Sequence, residues 1–232
     1  MARAAELEQV CTRLERADWE AAKAAPLPPP IVLRGLLTQN DVDEIDSYAR
    51  QLALIRHEGC DGVGWTRYGE SHEALFLHCS GDGSGLPSVE QDGTLQPSFV
   101  QSCASMFERL RTAIRDAADA GGLCSADNFE SLNVRCIEHH TYVAGGGLTE
   151  KGHRDAGSSL TLSVLLTEPS DGGVFSTTDA SGVTTPHAVG RGDGILLCSE
   201  MLHNVSTLKR GERRSLVIEW WSRKANSRDR FS

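Results

Sequence analysis

Three residues that could bind one metal ion lie in the second half of the chain: His153, Asp155 and His203. On an extended strand, side chains two residues apart point to the same side, so His153 and Asp155 could reach one ion. His203 follows an apolar run, where the end of a strand could direct it towards the other two. Two histidines and one carboxylate leave open positions on a metal, which is typical of non-heme iron that activates dioxygen. The alternative is a surface turn, because the residues around His153 are glycine and arginine.

A basic residue follows His203 at the start of the last apolar run, where Arg213 and Ser215 would share one face of a strand and Arg214 would lie on the other. A guanidinium at the start of a buried strand is costly unless it meets an anion, and its planar fork suits a carboxylate. 2-Oxoglutarate would present such a carboxylate and would also supply the two electrons that an oxygenase needs beyond those of its substrate. The alternative is that both arginines lie in a solvated turn.

The stretch of residues 130–222 resembles the prolyl 4-hydroxylase-like branch of the Fe(II)/2-oxoglutarate-dependent dioxygenases, and residues 31–53 more loosely resemble its opening strand and helix. The pattern is a tyrosine with a glycine-rich approach, an HxD motif, a distal histidine and a basic residue shortly after it. In this chain the pattern reads Tyr142 to Gly147, His153 to Asp155, His203, and Arg213 followed by Ser215. Lysine is common at the basic position in this branch, so Arg213 is a departure that would serve the same carboxylate.

The resemblance implies a double-stranded β-helix enzyme with Fe(II) and 2-oxoglutarate as cofactors and ascorbate as a candidate reductant. The residues so implied are His153, Asp155 and His203 for the metal, and Arg213, Ser215 and Tyr142 for the cosubstrate. The implied reaction is hydroxylation of a peptidyl proline, another protein side chain or a small molecule by dioxygen, with release of succinate and carbon dioxide. Two alternatives are a jelly-roll binding or scaffold protein that retains a metal site, and a zinc hydrolase with the same ligands.

The elements that must position these residues are predicted to be helices first and strands later. A helix over residues 5–25 ends at a proline run, a second begins at Thr38 as N-cap, and an amphipathic helix runs from Pro97 to about Ala120. Runs rich in β-forming residues follow, at 132–143, 160–166, 173–177, 183–189, 195–198 and 216–221. This order predicts an α+β fold, mainly β, with a cupin-like jelly roll buttressed by helices.

The glycine-rich residues 57–97 are predicted to form loops around one strand, Ala74 to His78, and such loops often shape a substrate entrance. The other histidines are predicted to be structural. His139 and His140 would face opposite sides of a strand. His72 and His78 are expected to be packed or surface imidazoles, with a position at the border of the pocket as the alternative.

The composition is that of a soluble globular domain, with 232 residues, 39% hydrophobic and 24% charged. A formal charge of −9 argues against a general nucleic-acid binder. No apolar run is long enough for a membrane span, and the acidic N-terminus argues against a secretory signal. Seven cysteines without a CxxC pair predict free thiols, and hence a cytoplasmic or nuclear location. We expect an N-terminal helix and proline-rich linker over residues 1–30, the β-helix domain over 31–225 and a polar tail over 226–232.

Overall fold

The computed structural model describes residues 27–55, 65–67, 70–79, 90–91, 94–95, 99–150 and 152–222. The predicted helix over residues 5–25 and the predicted polar tail lie outside these residues. The helices are α1 Gln39–Ile55, α2 Phe99–Ser102, α3 Ala104–Ala120 and α4 Ala126–Glu130. The strands are β1 Ile31–Leu33, β2 Trp65–Arg67, β3 His72–Cys79, β4 Glu90–Gln91, β5 Thr94–Leu95, β6 Asn133–Tyr142, β7 Leu160–Thr167, β8 Asp171–Gly172, β9 Phe175–Thr178, β10 Thr184–Pro186, β11 Gly194–Cys198, β12 Leu202–Val205, β13 Leu208–Arg210 and β14 Arg213–Trp221.

Antiparallel sheets form most of the described structure. A seven-stranded sheet has the order β1-β11-β7-β14-β6-β3-β2, a three-stranded sheet has the order β10-β9-β12, and β13 pairs with β8. The longest pairing joins β6 and β14, from Tyr142 opposite Arg213 to Asn133 opposite Trp221. Strands that are distant in sequence are therefore neighbours in the sheet, as in a jelly roll. The predicted mainly β fold, buttressed by helices, is confirmed.

One face of the seven-stranded sheet packs against the helices. Alternate residues of the central strands point to this face, and they are buried together with the apolar stripes of α1 and α3. The residues of this layer include Val42, Ile45, Leu52, Met106, Leu110, Ile114, Ile137, Leu162, Val164, Leu216 and Ile218. Full burial of each such side chain contributes about 1.5–3 kcal/mol. The opposite face of the sheet is left for the functional residues.

Helix α1 begins where the sequence predicted it. The Thr38 hydroxyl accepts the Asp41 amide hydrogen at 3.2 Å, and the Asp41 carboxylate accepts the Thr38 amide hydrogen at 2.9 Å. This reciprocal pair satisfies two amide groups at the start of the helix. The single helix predicted from Pro97 to Ala120 is wrong at its start, because the backbone leaves the helical conformation at Cys103, with φ −110° and ψ 30°. Phe99 stays fully buried on the other side of this break.

The glycine-rich residues contribute more to the sheet than predicted. β3 extends from His72 to Cys79, and it pairs with β6 along that length. β2 pairs with β3 at the edge of the same sheet. The predicted strand Ala74 to His78 is confirmed as part of β3, whereas the prediction of a loop is wrong at β2, whose pairing with β3 gives no local signal. The other residues predicted to form loops mostly lie outside the described residues. Within the described residues, no helix combines the length and the apolar character needed to cross a bilayer.

Candidate functional site

The three predicted metal ligands come together in the structure. His203 lies on β12, whereas His153 and Asp155 lie in an irregular segment before β7 and not on an extended strand, so that part of the expectation is wrong. Two backbone hydrogen bonds hold the segment in place: the His203 amide donates to the His153 carbonyl at 3.1 Å, and the Asp155 amide donates to the Ser199 carbonyl at 3.0 Å. These bonds bring the HxD motif alongside the distal histidine.

Both imidazoles direct their Nε2 atoms towards the carboxylate of Asp155. His153 Nε2 lies 3.3 Å from Oδ1, and His203 Nε2 lies 3.6 Å from Oδ2. The three donor atoms lie within 4.8 Å of one another. This separation suits three ligands on one face of a single ion, since metal–nitrogen and metal–oxygen bonds are about 2.0–2.2 Å long.

The tautomer of His203 is set by its second nitrogen. Nδ1 lies 3.0 Å from the Met201 carbonyl oxygen, which can only accept a hydrogen bond. Nδ1 therefore carries the proton, and Nε2 keeps a lone pair for a metal. Burial lowers the pKa of His203, so the neutral form that a ligand requires is favoured. The ring also stacks on Phe175, with centroids 5.6 Å apart.

Asp155 is held as a carboxylate. Burial opposes its charge, but the hydrogen bond from His153, the charge of His203 and the hydrogen bond from Thr161 outweigh burial, and its pKa lies below the usual range. Thr161 Oγ donates to Asp155 Oδ2 at 2.7 Å and lies 2.8 Å from the Ser199 hydroxyl, which can donate to it. The hydrogen bond to Asp155 raises the pKa of His153. A bound metal would take the place of the proton on His153 Nε2.

The predicted anion-binding arginine lies in the interior. Arg213 is 2% exposed, its Nε donates to the Gly173 carbonyl at 3.1 Å, and its Nη1 donates to Ser215 Oγ at 2.9 Å. Its guanidinium carbon lies 5.4 Å from the centre of the Tyr142 ring. Burial lowers the pKa of Arg213, and among the described residues no carboxylate pairs with it. The structure thus brings Arg213, Ser215 and Tyr142 together, around a positive charge that retains capacity for an anion.

Both groups of residues line one cavity of about 380 Å³. The cavity lies between the large sheet and the three-stranded sheet, since its lining includes Val217 of β14 and Phe175 of β9. Its volume falls within the range of small-molecule sites. A molecule that reaches from the metal ligands to Arg213 would therefore stay within this one cavity.

Further polar residues line this cavity that the sequence did not predict as site residues, and they include His72, Arg135, Glu138, His140 and Glu219. The strand pattern contained part of this information, because Glu138 and His140 alternate with Tyr142 on one face of β6. As expected, His139 points the other way, and its Nε2 lies 3.1 Å from Asp46 on α1. His72 was expected to be packed or at the surface, with the border of the pocket as the alternative, and it is both buried and part of the cavity wall.

Three of these residues form a hydrogen-bonded chain beside the arginine. His140 Nε2 lies 3.0 Å from Glu138 Oε2, and His72 Nε2 lies 2.9 Å from His140 Nδ1. If Glu138 accepts from His140, then His140 Nδ1 accepts from His72, and each imidazole has one defined tautomer. Burial lowers the pKa of His72 to about 3, and the charges of His140 and Arg213 act in the same direction. His72 is thus neutral at physiological pH, and its ring stacks on Tyr142 at 3.9 Å.

The donor set fits Fe(II) and 2-oxoglutarate on these observations alone. Two histidine nitrogens and one carboxylate oxygen converge and leave the cavity side open. A buried guanidinium in the same cavity can hold a carboxylate.

Comparison with family models and with curated proteins found no match. Solved structures do match. An oxidoreductase of the 2OG-Fe(II) oxygenase family from Burkholderia pseudomallei is 14% identical, with 86% of this chain and 87% of that chain covered and a TM-score of 0.54. A prolyl hydroxylase from Trichoplax adhaerens, solved with a hypoxia inducible factor peptide fragment, is 11% identical over 84% of each chain, with a TM-score of 0.54.

The epimerase SnoN, solved with Fe3+, alpha ketoglutarate and nogalamycin RO, is 17% identical, with 88% of this chain and 82% of that chain covered and a TM-score of 0.54. At these identities the similarity establishes the fold. The chain therefore has the fold of the 2-oxoglutarate- and Fe(II)-dependent oxygenases, prolyl hydroxylases among them, as the sequence resemblance implied.

Proposed function

We propose that this protein is an Fe(II)- and 2-oxoglutarate-dependent oxygenase that hydroxylates a protein side chain or a small molecule. The observation that carries the proposal is one cavity that holds both a convergent His-Asp-His set and a buried arginine without a carboxylate partner among the described residues. The fold supports the same function, because solved structures with this fold are oxygenases, prolyl hydroxylases and an epimerase.

The residues have distinct roles in this proposal. His153, Asp155 and His203 would hold Fe(II) and leave its remaining positions towards the cavity. Arg213 and Ser215 would bind the distal carboxylate of 2-oxoglutarate, and the Tyr142 ring would pack beside it. Bound Fe(II) and 2-oxoglutarate supply the chemistry: a substrate C–H bond becomes C–OH with one atom of dioxygen, and the other atom enters succinate as carbon dioxide is released.

Arg213 also supports this function over its alternatives. A zinc hydrolase needs the three ligands and a bound water but has no use for a buried guanidinium in the same cavity. A scaffold protein would gain stability if an apolar side chain replaced it, because a buried charge without an opposite charge is costly. An anionic cosubstrate gives Arg213 a function that offsets this cost.

Structures with this fold differ in their substrates and in the reactions that they catalyse. One structure with this fold is a prolyl hydroxylase with a bound peptide fragment, and another is an epimerase. We propose hydroxylation, with a protein side chain or a small molecule as substrate. Ascorbate is not part of the proposal, because neither the described structure nor the comparisons support it as the reductant.

An anaerobic titration with Fe(II) and 2-oxoglutarate tests the site. A weak visible charge-transfer band should develop when both are present, and it should be lost in His153→Ala, which removes one ligand. His187→Ala is the control, since this histidine bonds Thr177 and is not one of the three predicted ligands. A wild-type protein without the band, or an undiminished band in His153→Ala, would overturn the assignment. On admission of dioxygen, wild type should form succinate from 2-oxoglutarate.

A further inference from the structure

A buried ion pair holds the chain segment that directly follows Asp155. Arg135 Nη1 donates to the Ala156 carbonyl at 2.9 Å, to Ser158 Oγ at 2.9 Å and to Glu219 Oε2 at 3.0 Å. The Ser158 hydroxyl donates to the same Glu219 oxygen at 2.6 Å. One guanidinium nitrogen thus attaches residues 156–158 to strands β6 and β14.

The strand pairing is altered where Arg135 lies. Cys136 is opposite Glu219 and Val134 is opposite Trp220, so Arg135 is the additional residue of a β-bulge. A bulge changes the direction of a side chain without ending the strand, and bulges are common beside active sites. Here the bulge turns Arg135 towards the cavity, and its guanidinium lies 5.5 Å from the ring centre of Trp221.

The pair is placed where a charge is costly. The side chains of Arg135 and Glu219 are 9% and 11% exposed. Burial and the nearby charges of Asp155 and Glu138 raise the pKa of Glu219, whereas Ser158 and Arg135 oppose this shift. A buried pair of this kind contributes little net stability compared with apolar side chains, so its presence calls for a local reason. The contacts supply one, because Arg135 bonds Ala156 and Ser158, and Glu219 bonds Ser158, in the segment that directly follows Asp155.

We infer that Arg135 and Glu219 are positioning residues that hold Asp155 in its metal-binding orientation. Asp155 is then fixed from both sides: its own amide bonds Ser199 at 3.0 Å, and the next residue, Ala156, bonds Arg135 at 2.9 Å. The inference rests on the proposed function in one respect, namely that the His-Asp-His set binds a divalent metal. Two residues of the cavity wall, Arg135 and Glu219, thereby have a role in metal binding although neither is a ligand.

The test is the affinity of the protein for Co(II), measured by titration without 2-oxoglutarate at a temperature where every variant is folded. Arg135→Met should bind Co(II) about 10- to 100-fold more weakly than wild type, which is the usual effect of removing a partner that orients a ligand. The visible Co(II) spectrum should also change, because the geometry at Asp155 changes. Arg135→Lys should recover part of the affinity, since an ammonium can still reach one of the three acceptors.

Two further variants separate positioning from general stability. Arg191→Met removes an arginine that pairs with Asp43 at 3.3 Å on the surface, and it should leave the Co(II) affinity unchanged. Glu219→Gln keeps the shape of the ion pair but not its charge, and it should weaken Co(II) binding without an empty space in the core. A role confined to folding would lower the unfolding temperature of these variants and leave the affinity and the spectrum as in wild type.

Failure of the inference differs from failure of the proposed function. If wild type binds Co(II), and Arg135→Met and Glu219→Gln bind it within twofold of wild type with the same spectrum, the inference is overturned and the proposed function stands. If wild type itself does not bind Co(II), the metal site is overturned, and the inference with it.

Discussion

Arg213 and Arg214 are neighbours in sequence, but their side chains lie on opposite faces of β14. Arg213 lies in the cavity with Ser215, whereas Arg214 forms ion pairs with Asp46 on α1 at 2.6 Å and with Glu212 at 3.0 Å. One arginine therefore has two carboxylate partners, and the other has none among the described residues. The difference follows from the two-residue period of a strand and from which face meets the helices.

Arg213→Ala should weaken 2-oxoglutarate binding about 30-fold or more, because loss of one partner of a buried charged pair costs 2 kcal/mol or more. Arg214→Ala should change the affinity less than about threefold, since its charge is already paired away from the cavity. Calorimetric titration of the Co(II)-loaded proteins with 2-oxoglutarate measures both. Wild type, but not Arg213→Ala, should also gain thermal stability when 2-oxoglutarate is added. Similar losses in the two variants would show that the side chains do not face as described.

The residue types of the site could be predicted because they carry their own signal. An HxD motif, a distal histidine and an arginine before an apolar run are visible in one sequence, and the structure brings them together. Arg135 and Glu219 carry no such signal. Their positions depend on the register between β6 and β14 and on the bulge at Arg135, which are properties of a pairing between distant strands.

At the scale of elements, two glycines with the same backbone conformation have different surroundings. Gly192 (φ +82°) lies in the turn before β11, where a Cβ would collide with the Leu37 carbonyl oxygen, and its own carbonyl accepts the Leu37 amide at 3.0 Å. Gly182 (φ +83°) lies in the turn before β10, and a Cβ there would meet no atom of the described residues within 4 Å. The turn at Gly192 therefore joins the start of β11 to the segment that leads into α1.

Gly192→Ala should destabilise the fold by about 3 kcal/mol or more, since it adds a backbone collision to a left-handed conformation that costs about 1–2 kcal/mol. Gly182→Ala should lower the free energy of unfolding by only about 1–2 kcal/mol, which is the cost of the left-handed conformation alone. Urea unfolding of both variants gives the two free energies. Equal losses would mean that the close approach to Leu37 does not constrain the turn.

The elements could be predicted where their signal is local. The Thr38 cap, the amphipathic face of α3 and the alternation along β7 need only neighbouring residues. The local pattern does not show where a strand begins when pairing with a distant strand sets its start. β14 begins at Arg213 because Arg213 and Arg214 lie opposite Tyr142 and Thr141 of β6, although neither arginine is a strand-forming residue. The same holds for the ends of β3, because the sequence predicted only Ala74 to His78, and pairing with β6 extends the strand from His72 to Cys79.

For the whole molecule, the helix layer is joined to the sheet by a buried charged cluster as well as by apolar packing. Asp46 of α1 forms a hydrogen bond with His139 of β6 at 3.1 Å and an ion pair with Arg214 of β14 at 2.6 Å. These strands carry the functional residues on their other face. The cluster therefore fixes the helix layer against the strands that form the cavity wall.

Low pH should weaken the contacts of Asp46 that join the helix layer to the sheet. Burial opposes the charge of Asp46, but the hydrogen bond from His139 and the charge of Arg214 outweigh it, so its pKa in the folded protein lies below the usual value of about 3.9. A lowered carboxyl pKa adds stability that is fully present above the unfolded-state pKa and is lost as the pH falls through the folded-state pKa. The free energy of unfolding should thus decline below about pH 4.

Asp46→Asn should lower the free energy of unfolding by about 2 kcal/mol at pH 7 and show a shallower decline in acid. Asp43→Asn, on the exposed side of the same helix, should change the free energy by less than about 1 kcal/mol at any pH. Urea unfolding from pH 7 to pH 3 measures these profiles, and an Asp46→Asn profile parallel to wild type would show that the cluster does not couple the two layers.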